Sequence, residues 1–147
     1  MSDVKPVPDG YTAITPYLIV ENAAAFLDFL ANAFGAVERL RLPMPQGGIG
    51  HAEVEIGGAA VMLSDAAPPD FPPTKTQIHL YVEDVDGVYA RAVEAGATSL
   101  AEPADQFYGD RCARVADPFG NHWSIASHVE DVGMDEIMKR LAALGQE

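Results

Sequence analysis

The sequence has little cysteine, few basic residues and no long apolar run. Its 147 residues include one cysteine, Cys112, which excludes an internal disulfide framework and a cysteine-rich metal site. Nine Lys and Arg residues stand against 22 Asp and Glu residues, for a net charge of −13. Nucleic acid and anionic membranes are therefore not expected as partners, because phosphate binding needs clustered cations. With no apolar run near the ~20 residues that span a bilayer and no signal-like leader, we expect a soluble cytoplasmic protein.

What the sequence does contain is an internal repeat at a shift of 62 residues. The segment LIVEN beginning at Leu18 resembles the segment LYVED beginning at Leu80. Between the two copies lies a stretch with four prolines, which is typical of a linker. We therefore predict one domain, 1–147, made of module one over about 11–66, a linker over 67–76, module two over about 77–128 and a C-terminal helix over about 134–144.

Each module is predicted to have a strand, a helix and three further strands. Residues 12–20 alternate and are rich in β-formers, as in a strand. Asn22 can cap a helix, Gly35 stands where a C-cap glycine belongs, and Gly57-Gly58 predicts a tight hairpin. The other predicted strands cover 37–42, 50–56, 59–64, 77–82, 98–102, 111–116 and 122–127, with a second helix over 85–95.

Four stretches carry a family resemblance: TPYLIVENAAAFLDFLANAFGA, GHAEVEIGGAAVMLSD, IHLYVEDVDGVYARAVEAGAT and QFYGDRCARVADPFGNHW. With the duplicated βαβββ order, they resemble the PhnB-like branch of the vicinal oxygen chelate superfamily, which includes glyoxalase I, bleomycin resistance proteins and extradiol dioxygenases. The resemblance implies an α+β fold in which tandem βαβββ modules form a curled mixed sheet around a cup-shaped cavity, with helices outside. It also implies a homodimer.

Alternation along the strands separates a helix side from a cup side. Ile14 and Cys112 are predicted on the helix side. The predicted ligand-binding residues on the cup side and in the loop at its mouth are Tyr17, His51, Glu53, Gln77, His79, Tyr81, Phe107, Tyr108, Arg111 and Ser124. Arg111 offers a rigid donor fork for a carboxylate or phosphate; the alternative is a local salt bridge between Asp110 and Arg111.

The metal ligands of the superfamily are implied at Thr15, Met62, Gln77 and Ser124, where metal-dependent relatives carry His and Glu. Hydroxyl, thioether and amide groups are poor ligands for Zn²⁺ or Fe(II), which favour imidazole, thiolate and carboxylate. We therefore expect no metal at these positions and no cofactor. The alternative is a displaced divalent metal centre built from His51, Glu53, His79 and His122.

Two functions remain open. In the first, the protein binds a small molecule in its cavity without a metal, as bleomycin resistance proteins do, and a cationic ligand would be held by Glu53, Glu55 and aromatic faces. In the second, it is a lyase or isomerase acting on a small carbonyl compound, with His51, Glu53 or His79 as the acid-base group. A methyltransferase name has been attached to the branch by similarity, but the sequence has no cofactor-binding glycine motif.

Overall fold

A computed structural model describes residues 3–145, which form eight strands and three helices. The strands are β1 (Tyr17–Val20), β2 (Val37–Pro43), β3 (Ile49–Ile56), β4 (Ala59–Asp65), β5 (Gln77–Tyr81), β6 (Thr98–Asp105), β7 (Asp110–Ala116) and β8 (His122–His128). The helices are α1 (Ala23–Phe34), α2 (Val85–Glu94) and α3 (Met134–Leu144). The predicted α+β class and the tandem βαβββ order are confirmed.

The strands form two four-stranded mixed sheets with the same plan, β1-β4-β3-β2 and β5-β8-β7-β6. In the first sheet β1 runs parallel to its neighbour β4, and in the second β5 runs parallel to β8. The other neighbouring pairs are antiparallel. The register places Tyr17 opposite Met62 and His79 opposite Ser124. The 62-residue shift in the sequence is therefore a correspondence of position between the two sheets. Within residues 3–145 no strand pair joins the sheets, so they do not close a barrel.

The first helix begins and ends where its capping residues predict, and the second ends at Glu94, one residue before its predicted end. The Asn22 side chain accepts a hydrogen bond from the backbone N–H of Ala25 at 3.1 Å, and the chain leaves α1 through Gly35 at φ 68°. That left-handed conformation favours glycine, because a side chain there would be strained. Asp84 caps α2 by accepting from the N–H of Gly87 at 3.0 Å.

The core lies between the modules, where α1 contacts α2 and each helix covers one face of its own sheet. Aromatic contacts cross the boundary: the ring centroids of Phe34 and Trp123 are 4.4 Å apart, and those of Phe26 and Phe119 are 5.1 Å apart. Trp123 and Phe26 are almost completely buried. The second face of each sheet, opposite the helices, is the predicted cup side.

The first strand is shorter than predicted, since β1 begins at Tyr17 rather than at residue 12. The Thr12 hydroxyl donates to the carbonyl of Ile14 at 2.6 Å, and the Thr15 hydroxyl donates back to the carbonyl of Thr12 at 3.2 Å. These local bonds compete with a strand ladder. Ile14 is 87% exposed, so its predicted place on the helix side is wrong.

The predicted C-terminal helix is α3, and none of its residues is buried. Arg140 fixes the helix to the rest of the chain by donating to the carbonyl of Phe107 at 3.1 Å and to Glu130 at 3.0 Å. None of the helices within residues 3–145 is long and apolar enough to cross a bilayer.

Candidate functional site

The cup side of module one carries four polar side chains joined in a line, which we call the hydrogen-bonded quartet: Tyr11, Glu53, His51 and Tyr17. The Tyr11 hydroxyl donates to Glu53 Oε1. The other carboxylate oxygen, Oε2, lies 2.7 Å from Nε2 of His51. Nδ1 of His51 lies 3.0 Å from the Tyr17 hydroxyl. Both oxygens of the carboxylate and both ring nitrogens of the histidine therefore have partners.

Strand alternation brings the central pair of the quartet together. In β3, Ala52 and Val54 are buried in the core, so His51 and Glu53 point to the opposite face, as predicted. Tyr17 opens β1, two strands away, because β4 lies between β1 and β3. The quartet therefore depends on the sheet order.

Tyr11 reaches the quartet from the irregular segment before β1. Its backbone N–H bonds to the carbonyl of Pro8 at 3.2 Å, which forms a turn. The guanidinium of Arg39 lies 5.2 Å from the centre of the Tyr11 ring, a cation–π contact. Arg39 also donates to Glu55 at 2.7 Å and to the carbonyl of Gly10 at 3.1 Å. Arg39 thus holds both the ring and the turn in place.

Glu53 is only 7% exposed. Hydrogen bonds from Tyr11 and His51 lower the pKa of its carboxyl, although burial acts in the opposite direction. The bond to Glu53, together with burial, raises the pKa of the Tyr11 hydroxyl. At neutral pH Glu53 is therefore a carboxylate and Tyr11 keeps its proton. Because a carboxylate only accepts, we assign the proton of His51 to Nε2, which leaves Nδ1 to accept from Tyr17.

Two cavities flank the quartet. The larger has a volume of about 650 Å³ and is lined by Tyr17, Ile19, Met44, residues 46–50, residues 64–67 and Phe71. The smaller, about 390 Å³, is lined by residues 6–8, residues 11–13, Thr15, Glu53 and Met62. One end of the quartet, Tyr17, thus faces the larger cavity, and the other end, Tyr11 with Glu53, faces the smaller one.

The larger cavity is mostly apolar. Its walls include Ile19, Met44 and Phe71, and the last two are 42% and 58% exposed at the rim. The one carboxylate in the lining belongs to Asp65, and its two oxygens accept from the backbone N–H groups of Ala23 and Ile49, both at 2.7 Å. Tyr17 is the lining residue that also belongs to the quartet, because its hydroxyl is bonded to Nδ1 of His51.

The predicted residues of module two lie on the second sheet. The rings of His79 and Tyr81 are in contact, with centroids 4.8 Å apart. Ser124 lies opposite His79, and Gln77 lies opposite His122. The two cavities described above are lined only by residues 6–71, so the structure does not bring these residues together with the quartet.

Arg111 does not lie at a cavity mouth. Its side chain is on the helix side of β7, where it forms a forked pair with Asp86 of α2, with both bonds at 2.8 Å. It also donates to Asp105 at 3.1 Å. The prediction of a free donor fork at this position is therefore wrong. The alternative, a pair between Asp110 and Arg111, is also wrong, because Asp110 bonds to His128 at 2.8 Å.

Cys112 lies on the opposite face from the one predicted. The core of β7 is formed by Ala113 and Val115, so strand alternation places Cys112 on the other face. Burial raises the pKa of its thiol, which keeps it protonated and unreactive. The neighbouring loop holds Phe107 and Tyr108, whose ring centroids are 5.2 Å apart.

A cationic ligand held by Glu53 and Glu55 is not supported. Glu55 is paired with Arg39 at 2.7 Å. Glu53 accepts from Tyr11 and lies against His51. Internal partners therefore already hold both carboxylates.

The residues at the implied metal positions do not fit a transition metal. Thr15, Met62, Gln77 and Ser124 supply hydroxyl, thioether and amide donors, and the Thr15 hydroxyl is bonded to the carbonyl of Thr12. Across residues 3–145, no three His, Cys, Asp or Glu side chains are grouped so that they could hold an ion.

Sequence reasoning missed Tyr11, Arg39, Met44 and Phe71. Tyr11, Met44 and Phe71 stand in irregular segments, where side-chain alternation gives no direction. Arg39 marks a register shift between β2 and β3, which hides its orientation. The available signal for Tyr11 was the preceding Pro8-Asp9-Gly10, which is typical of a turn that brings the chain back.

The comparisons identify the class of protein. Residues 10–125 match the family model of the glyoxalase/bleomycin resistance protein/dioxygenase superfamily. The chain belongs to this superfamily, which confirms the resemblance at that level. The PhnB-like branch stays a prediction.

Individual relatives share most of the chain. Uncharacterized protein Mb0911c of Mycobacterium bovis is 43% identical over 143 residues, which cover 90% of this chain and 94% of the relative. Among solved structures, TioX from Micromonospora sp. ML1 has a TM-score of 0.69 and 28% identity, covering 80% of this chain and 99% of its own. An Arabidopsis thaliana gene product, At5g48480, has a TM-score of 0.63 and 25% identity, covering 79% and 98%.

Proposed function

We propose that the protein binds a small, neutral, largely apolar molecule in the larger cavity of module one, without the metal of the superfamily. The observation that carries this proposal is the cavity of about 650 Å³ that opens beside Tyr17. Ligand sites of this kind typically measure about 300–1,000 Å³ and combine apolar walls with a few placed polar groups.

The charges around the cavity favour a neutral ligand over a cation. The Asp65 carboxylate is already bonded to two backbone N–H groups, so an ammonium would have to displace them. Apolar contact with Ile19, Met44 and Phe71 would supply affinity, at roughly 25 cal/mol per Å² of buried apolar surface. The Tyr17 hydroxyl would orient a polar group of the ligand.

Filling the cavity tests this proposal. A library of neutral aromatic and alicyclic compounds is screened by thermal shift, and hits are measured by calorimetry. Ala67→Trp, at the cavity wall, is expected to weaken binding at least about tenfold, or about 1.4 kcal/mol. Ala59→Trp makes the same change at an exposed position of β4 outside the lining and should bind like the parent. Equal binding by both variants, or no hit in the library, would count against the site.

We also propose a homodimer. One chain leaves Tyr17 and Tyr81 42% and 62% exposed on the two sheet faces, and it leaves an apolar row on α3 uncovered. The row consists of Met134, Met138, Leu141 and Leu144. A second copy that covers these surfaces would place the module-two residues Gln77, His79, Tyr81 and Ser124, and the loop with Phe107 and Tyr108, near ligand. We propose these residues as further contacts with the ligand.

Light scattering after size-exclusion chromatography tests the dimer. Leu141→Glu should shift the protein toward the monomer mass, because it places a charge in the apolar row. Lys139→Glu changes charge at an exposed position of the same helix and should leave the mass unchanged. A parent protein of monomer mass would contradict the dimer.

A cytoplasmic location completes the proposal, and the free thiol of Cys112 suits a reducing compartment.

A further inference from the structure

We propose that Tyr17, His51 and Glu53 form an acid-base triad in which the Tyr17 oxygen takes a proton from a carbonyl compound in the larger cavity and later returns it. This inference rests on the cavity that we propose as the ligand site, and it adds a reaction to binding. The substrate class is a small ketone or related carbonyl compound with a C–H bond next to the carbonyl group.

The geometry supports the triad through two consecutive short contacts. Glu53 Oε2 is 2.7 Å from His51 Nε2, and His51 Nδ1 is 3.0 Å from the Tyr17 oxygen. This is the order of an acid, an imidazole and a hydroxyl in a Ser-His-Asp triad, with tyrosine in place of serine. A buried carboxylate in this position holds the imidazole in one tautomer and stabilises the imidazolium that forms when His51 gains a proton.

The direction of the hydrogen bonds makes Tyr17 a base toward the cavity. His51 carries its proton on Nε2, against the Glu53 carboxylate, so its Nδ1 accepts the Tyr17 O–H. The phenolic oxygen then has lone pairs left for another donor. Because Tyr17 lines the larger cavity, the donor is a group of the bound molecule.

The proton transfer balances within the site. The C–H bond next to the carbonyl breaks, its proton bonds to the Tyr17 oxygen, and the proton of Tyr17 moves to His51 Nδ1. The electron pair of the broken bond becomes the enolate of the substrate. Reversal returns a proton to carbon, so no oxidant, reductant or co-reactant is needed. The net result is exchange of the carbon-bound hydrogen with solvent, or isomerisation where the proton returns to a different atom.

Tyr11 is a positioning residue, since it acts on Glu53 and not on substrate. Its hydroxyl donates to Glu53 Oε1, and Arg39 holds its ring. Module two has no counterpart of the triad. The register pairs Glu53 with Met62 and Arg114 with Ser124, so Arg114 occupies the place of Glu53 and Cys112 the place of His51.

The first test measures the reactivity of Tyr17 without any substrate. An aryl sulfonyl fluoride labels phenols by forming an O–S bond and releasing fluoride, and the phenol proton passes to a base. Labelled sites are mapped by mass spectrometry over time. Tyr81 is more exposed than Tyr17, 62% against 42%, so exposure alone predicts faster labelling of Tyr81. The triad predicts that Tyr17 reacts at least about tenfold faster, because a neighbouring base activates its oxygen.

Variants locate the cause of that reactivity. His51→Gln and the near-isosteric Glu53→Gln should slow labelling of Tyr17 to the rate of Tyr81. Tyr89→Phe removes a tyrosine hydroxyl bonded to Ser99 at 2.7 Å, outside the site, and should change nothing. Tyr11→Phe should slow labelling and also move the ¹⁵N resonance of His51 Nε2, which a purely structural role would not do. Tyr17 labelling no faster than Tyr81 in the parent protein would overturn the triad.

The second test measures the reaction. The protein is incubated in D₂O with cyclohexanone, acetophenone or 4-phenyl-2-butanone, which are neutral and mostly apolar, and loss of the proton signal beside the carbonyl is followed by NMR. We expect exchange of at least one probe to be tenfold or more faster with the parent protein than with Tyr17→Phe, and Tyr89→Phe to match the parent. If none exceeds Tyr17→Phe, the carbonyl substrate class is refuted. Failure of the cavity proposal alone would leave the labelling contrast intact.

Discussion

In module one, the sheet face opposite the helix carries a buried carboxylate, Glu53, bonded to a histidine, His51, and to a tyrosine. In module two, Arg114 stands at the position of this carboxylate and Cys112 at the position of this histidine. The strand order, the parallel pairing of first and last strands, and the helix position are the same in both modules. Module two instead contributes Trp123, whose indole packs on Phe34 of α1. The two modules thus share one arrangement of strands and helix but differ in side chains. The hydrogen-bonded quartet lies in module one, and the central packing residue, Trp123, lies in module two.

This difference teaches that the repeat conserves the backbone and not the side chains. Trp123 corresponds in the register to Val61 of β4, and both are buried. The larger residue is in the module that lacks the hydrogen-bonded quartet, and its indole N–H donates to Asp117 at 2.9 Å. Five substitutions test whether this division is real.

The largest expected effect comes from the packing side of the comparison. Trp123→Ala should lower the free energy of unfolding by about 4 kcal/mol, because it leaves a cavity between the modules. Val61→Ala, at the matched position, should lower it by about 2 kcal/mol, since it removes fewer buried carbons. Urea unfolding followed by circular dichroism measures both. Equal losses would show that the modules share the central packing evenly.

An intermediate effect is expected from the polar side. Glu53→Gln should lower the free energy of unfolding by about 2 kcal/mol at pH 7, because it replaces hydrogen bonds to a buried charge. The folded-state pKa of Glu53 is lowered by Tyr11 and His51. The Glu53 carboxylate therefore stabilises the folded state fully above the pKa that it has in the unfolded chain, near 4.5. This stabilisation is lost as the pH falls through the lower pKa of the folded state.

Unfolding measured from pH 7 down to pH 3 checks this sign. The parent and Glu53→Gln curves should converge on acidification. Tyr11→Phe, which removes one of the two donors, should give a smaller difference from the parent with the same trend. A gap that stays constant with pH would mean that the charge of Glu53 contributes nothing to folding.

The smallest effect belongs to His128 at the edge of module two. Its ring nitrogens lie 2.8 Å from Asp110 and 2.7 Å from Asp131, and these hydrogen bonds raise its pKa above the usual 6.5. Its stabilisation is therefore full below pH 6.5 and is lost as the pH rises through the folded value. His128→Gln should differ from the parent most at pH 5–6 and least at pH 9, in thermal unfolding. A difference between His128→Gln and the parent that is largest at pH 9 would contradict this prediction, since His128 would then follow the same pH trend as Glu53.

The sequence predicted most of the framework. The repeat, the caps at Asn22 and Gly35 and the C-terminal helix depend on local residue types, which a single sequence displays. The orientation of His51 and Glu53 could also be predicted, because Ala52, Val54 and Ile56 alternate with them and must be buried. The family followed from the order of four motifs.

The rest depended on contacts between distant segments. Alternation alone predicts Cys112 on the helix side, but Ala113 and Val115 already fill that face. The sequence predicts a free donor at Arg111 because its partner, Asp86, lies 25 residues away on α2. The partnership of Tyr11 with Glu53 spans 42 residues, and no periodic pattern in the sequence indicates it.

The rim of the larger cavity lies outside the strand ladders. It is formed by the turn that carries Met44 and by the linker that carries Phe71, while Asp65 holds the neighbouring framework through the backbone of Ala23 and Ile49. Changes confined to these two segments would alter the shape of the opening without disturbing strand pairing. A duplicated gene could thus diverge toward a new ligand through few substitutions, with the folding framework inherited unchanged.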